Sequence, residues 1–121
     1  MTFCALSSAK GMDIKMKKIY ENAPQIAKEF FALTEVITEY GNDNGIDSKI
    51  KELILVGMFT AADGSKGIET HTKRAIQAGA TKEELIATIL YAIPVVGISK
   101  VNIALQKALE VLEEGKSYEN R

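Results

Sequence analysis

Apolar residues return every three or four positions along nearly the whole of this chain, and nowhere does a period-two run bounded by turns appear. A helix gathers residues at that spacing onto one face and a strand does not, so the sequence predicts an all-α fold of about six helices. With 121 residues, one domain can bury about two-thirds of the surface its unfolded chain would expose, without staples. No internal repeat, low-complexity tract or Pro- or Ser-rich linker divides the chain. A single domain over residues 1–121 is therefore expected, with residues 1–12 as a loose N-terminal extension and Met1, Met12 and Met16 as candidate starts.

Capping and breaking residues punctuate the pattern. "DIKMKKIYENA" begins it, and Pro24 suits the first turn of "PQIAKEFFALTEVITEY", whose stripe includes Ile26, Phe30, Leu33 and Ile37. "GNDNG", residues 41–45, should end that helix. Asp47 or Ser48 can cap "KIKELILVGMFTAA", whose latter part is apolar all round and so predicts a central, buried helix. "DGSKG" breaks it, "IETHTKRAIQA" follows as a short helix, and Gly79 stands where a left-handed residue closes a helix. Thr81 and Glu84 form a T-x-x-E capping box opening "KEELIATILYAI", which Pro94 should end. A last helix from about Gly97 to Glu114 carries Val101, Ala104, Leu105, Ala108 and Leu112 on one stripe, and a polar tail follows from Gly115.

Charge excludes some partners. Fifteen basic residues against 16 acidic ones give no field to recruit nucleic acid or an anionic membrane. The longest apolar run, Leu53 to Ala62, falls far short of the roughly 20 residues of a membrane span. The N-terminal apolar patch has no positive charge before it, unlike a secretory signal. One cysteine, Cys4, and one histidine, His71, close no intrachain disulfide and build no structural zinc site. A reducing, cytoplasmic setting is expected, with no metal and no cofactor.

Two residues sit oddly on their stripes. Glu52 shares a face with Leu55, Val56 and Phe59, where an acid is out of place. Near a helix start it can reach solvent or a backbone amide, which is the plainer reading. His71 shares a face with Ile68, Ala75 and Ala78 and can equally be a core histidine satisfied by one hydrogen bond. Between them, Gly64, Ser65, Lys66 and Gly67 offer close backbone approach, the amides of a following helix and a cation, which together suit an anion such as a carboxylate. The plainer reading is an interhelical turn with Lys66 facing solvent. The G-x-x-x-x-G-K-[ST] spacing of a phosphate-binding loop is absent.

Spacing links these residues. Glu52 is followed twelve positions on by Gly64, then by Gly67 after three more and His71 after four. Together with "HTKRAIQAGATKEELIATIL" and "AIPVVGI", the chain resembles the carboxymuconolactone decarboxylase-like family, particularly its alkylhydroperoxidase D-like branch, from about Ile19 to Leu112. In that likeness Glu52 and His71 match the family's glutamate and histidine, and Gly64 and Gly67 stand where a redox Cys-x-x-Cys pair would be. The decarboxylase branch tends to carry a Glu-Trp type pair before the histidine, where this chain has Gly67 and Ile68.

The resemblance implies a helical homo-oligomer, a trimer or hexamer, and the valines and isoleucines around Pro94 and Gly97 make "YAIPVVGI" the leading interface segment. It also implies that His71 acts as general acid or base with Glu52 as its orienting partner, on a small carboxylate or lactone. The alternative is a non-catalytic small-molecule-binding or structural homo-oligomer that kept the fold without the dithiol. Peroxide reduction of the peroxiredoxin type ranks last, because glycine supplies no nucleophile and Cys4 lies outside the matched region.

Overall fold

The structure is a computed structural model that describes residues 14–119. Cys4, the residue 1–12 extension and the candidate starts Met1 and Met12 lie outside the described residues. Among those described there are six helices, one single helical turn and no strand. They fall into two compact units that divide after Gly45.

The first unit pairs α1 (Ile14–Asn22) with α2 (Pro24–Asp43). Pro24 takes the first turn of α2, where its missing N–H removes a donor that had no partner anyway. The helix runs into the glycine-asparagine cluster instead of stopping before it. Gly41, Asn42 and Asp43 are helical, and the chain turns only at Asn44 and Gly45, whose φ of +89° is left-handed. A glycine two residues beyond a helix end closes it more decisively than a helical glycine interrupts it. Only Ala27 of α2 is buried. Ile26, Phe30, Leu33 and Ile37, the expected core stripe, are exposed on the isolated chain.

The second unit holds α3 (Ser48–Ala61), α4 (Ser65–Gln77), α5 (Lys82–Leu90), the single turn α6 (Ile93–Val96) and α7 (Ile98–Glu119). Helix α3 packs chiefly on α4 and also touches α5 and α7. Val56, Ile68, Ala75, Leu85, Ile89, Val101, Ala104 and Ala108 form the core. Helix α3 is central but not buried all round: Glu52, Val56 and Thr60 face inward, while Ile50, Ile54 and Met58 lie open on another face.

Local signals set most boundaries. Asp47 caps α3, its carboxylate accepting from the Ile50 N–H at 2.9 Å. Thr81 and Glu84 form both halves of the capping box on α5. Two further ends differ from the sequence expectation. Helix α5 closes at Leu90, and Pro94 sits in the first turn of α6, a position a proline tolerates better than a helix end demands it. Helix α7 continues past Gly115 to Glu119, since one glycine inside an otherwise helix-forming segment costs only about 1 kcal/mol.

Candidate functional site

The hairpin of α3 and α4 builds the site. The turn between them places Asp63 at φ +59°, a left-handed conformation that aspartate tolerates better than most side chains. Asp63 also meets Lys100 of α7, Oδ2 to Nζ 2.9 Å. Gly64 caps α4, so Ser65, Lys66 and Gly67 form its first turn and the helix begins earlier than the apolar pattern alone indicates.

Glu52 enters from the inward face of α3, one turn before Val56 and two before Thr60. His71 comes from the middle of α4, one turn after Ile68 and one before Ala75, both buried. Sequence geometry leaves an offset between them. About 14 Å of helix separates Glu52 from the end of α3, against about 9 Å from the start of α4 to His71. The two helices nonetheless bring the side chains into direct contact within one chain: His71 Nδ1 lies 2.6 Å from Glu52 Oε2. The other carboxylate oxygen, Oε1, is 3.2 Å from Lys51 Nζ.

Electrostatics fixes the roles in that bond. Glu52 is 4% exposed, and burial alone would raise its pKa. The hydrogen bond and charge of His71, with the charge of Lys51, outweigh burial and hold the carboxyl below its ordinary range. An ionised carboxylate only accepts, so His71 Nδ1 carries the proton and donates it. No hydrogen bond engages Nε2 among the described residues, and the His71 side chain keeps 15% exposure.

A fourth side chain completes the group. The Phe59 ring stacks on the His71 imidazole, with centroids 5.2 Å apart and planes 12° from parallel. The same ring lies against both glycines. A Cβ built on Gly64 would fall 2.5 Å from Phe59 Cδ1, and one built on Gly67 would meet Cδ1, Cγ and, at 2.6 Å, Cε1. Lys66 does not face the pair as a free cation; its Nζ is 3.8 Å from Glu69, which Lys73 and Lys107 also approach. A surface trough of about 660 Å³ runs along α7 and is lined by Asn102, Leu105, Gln106, Leu109 and glutamates, with neither Glu52 nor His71 in its wall. Among the described residues no group of histidine, cysteine and acidic side chains could hold a metal ion.

Lys51 and Phe59 are the two members that reading the sequence missed as parts of the site. Phe59 lies on the Glu52 stripe, and two glycines three apart signal a space that some other side chain must fill.

Fold and site define a class: an all-helical protein whose central helical hairpin carries a histidine bonded to a buried glutamate. The carboxymuconolactone decarboxylase family profile matches residues 24–113, and the chain belongs to that family. No curated protein and no solved structure matched the chain. No helix among the described residues is long and apolar enough to cross a membrane.

Proposed function

We propose that this protein performs acid-base chemistry on a small carboxylate or lactone, with His71 as the proton-transfer group and Glu52 as its orienting partner. The observation that carries this reading is the 2.6 Å bond between His71 Nδ1 and an almost wholly buried glutamate, whose carboxyl His71 and Lys51 hold below its ordinary range against the effect of burial. A buried charge is expensive, and one spent on fixing a single ring nitrogen directs the other nitrogen to a task. Nε2 takes a proton from carbon beside the substrate carbonyl, Glu52 stabilises the imidazolium so formed, and Nε2 returns the proton to the product. The substrate carboxylate is taken by the first turn of α4, at Gly64, Ser65, Lys66 and Gly67, where the helix dipole favours an anion and the Lys66 and Gly67 amides are the donors left to meet it, those of Gly64 and Ser65 being given to the Phe59 and Asp63 carbonyls.

A second reading rests on Phe59. Its ring fills the space beside Gly64 and Gly67, which supports a non-catalytic binding or structural oligomer as the rival. Peroxide reduction stays last, since neither glycine carries sulfur.

A thermal-shift screen of small carboxylic acids and lactones separates the two. A true ligand at a hundred times its dissociation constant adds about 2.7 kcal/mol of stability. On the acid-base reading, a stabilising compound is consumed by the wild type and bound but left unchanged by His71→Gln. Binding without turnover by either protein supports the rival.

Self-association belongs to both readings. Tyr91, Val95 and Ile98 in the "YAIPVVGI" segment are more than 70% exposed, and patches of that kind mark contact sites. A trimer or hexamer of this chain would cover them.

A further inference from the structure

We infer that Phe59 is the positioning residue of the His71 ring, and that positions 64 and 67 are glycine so that its phenyl ring can lie there. This rests on the acid-base reading of His71 and names what holds that group in place.

One hydrogen bond does not fix an imidazole. The Glu52 contact sets which nitrogen bears the proton and where that edge lies, but the ring can still swing about the bond. Removing that freedom takes a second contact on the ring face. Phe59 supplies it, nearly parallel at 12° and in the centroid range where aromatic pairs attract. The electron-rich phenyl face also suits a ring that becomes cationic in every proton transfer.

The glycines are the other half of this arrangement. Gly64 and Gly67 come three positions apart around the first turn of α4, and both hypothetical Cβ atoms collide with the same phenyl ring, that of Gly64 at Cδ1 and that of Gly67 at Cδ1, Cγ and Cε1. Cγ is not the far end of a flexible chain, so a side chain at Gly67 must displace the ring, and one at Gly64 must turn its Cδ1 edge away. Neither glycine has a positive φ, so backbone conformation does not explain them. Space does. Cysteine side chains at these positions and a phenyl ring stacked on His71 exclude each other.

The test uses the full chain with labelled histidine, which gives a single imidazole signal set because His71 is the one histidine present. Two quantities are read by NMR: the upfield ring-current shift of the His71 carbon-bound protons, and the rate at which the Nδ1 proton exchanges with water. Phe59→Leu removes the aromatic face, and Phe59→Tyr keeps it. Gly67→Ala leaves Phe59 in the sequence but pushes its ring away. Alanine also favours the helix over glycine, so loosening in that variant does not come from a weaker α4. The expected result is loss of the ring-current shift in Gly67→Ala, with Nδ1 proton exchange about two- to tenfold faster in both Gly67→Ala and Phe59→Leu. Phe59→Tyr behaves as wild type. Exchange in Phe59→Leu and Gly67→Ala as slow as in the wild type overturns the positioning role and leaves the Glu52–His71 pair standing. A wild-type ring with no protected Nδ1 proton overturns the pair itself, and this inference with it.

Discussion

Removing His71 alone strands a carboxylate that burial has cut off from water, leaving it only Lys51. Breaking one side of a buried pair costs about 3–5 kcal/mol, whereas replacing both partners with apolar groups of similar size is often neutral. His71→Leu is therefore expected to lose about 3 kcal/mol in denaturant titration, and Glu52→Leu combined with His71→Leu to recover most of it. Equal, additive losses would mean that the two groups do not act as a unit. The pH dependence follows from the same bond. Glu52 is held below its ordinary range by His71 and Lys51 against the opposing effect of burial. A depressed carboxyl contributes stability that is present above its unfolded value and is lost as pH falls through its folded value. Acid unfolding monitored below the ordinary glutamate range should thus be steeper in the wild type than in Glu52→Gln. At this scale much was legible in the sequence: an acid and a histidine on apolar stripes are visible as anomalies. Phe59 was not, because a phenylalanine on an apolar stripe is no anomaly, and its contact with residues 64, 67 and 71 exists only after the hairpin closes.

Helix ends carry the next level. The capping box on α5 satisfies two amides at once, Thr81 Oγ1 accepting from the Glu84 N–H at 3.0 Å and Glu84 Oε1 from the Thr81 N–H at 2.9 Å. Glu84 also ties α5 to α3 through Lys49, Oε2 to Nζ 3.0 Å. Thr81→Ala should cost about 1 kcal/mol of stability and speed amide exchange at Glu84. Unchanged exchange there would show that the box contributes nothing. Caps made by neighbouring residues, such as Asp47, Thr81 and Glu84, are readable because the contact and the residues share one short segment. Ends set by glycine and proline were less readable. Gly41 and Gly115 lie within helices and Pro94 begins a turn instead of closing one, since each is decided by the helical residues on both sides. The exposed face of α3 is a similar case: Ile54 and Met58 fall in the stretch that reads as buried all round, but the helices packed against α3 within its own unit cover only its other side.

At the scale of the whole molecule, apolar surface is the unsolved quantity of the isolated chain. In the first unit Ile26, Leu33, Val36, Ile37 and Tyr40 are each more than half exposed, and in the second so are Met58, Tyr91, Val95, Ile98 and Ile103. Monomeric proteins rarely leave so much of it open. Light scattering at micromolar concentration is expected to return a multiple of 13.2 kDa, and charged substitutions at Val95 and Ile98 to lower it; a monomer throughout would contradict the oligomer. One histidine in 121 residues gives one unambiguous imidazole, which makes the Glu52–His71 bond directly measurable. The direct measurement is the pair of imidazole nitrogen shifts of His71 at a pH where the ring is neutral, in the wild type and in Glu52→Gln. The predicted result is a proton on Nδ1 and a bare Nε2 in the wild type, with both tautomers populated in Glu52→Gln. The same tautomer mixture in both proteins would contradict the claim that Glu52 orients His71 for proton transfer.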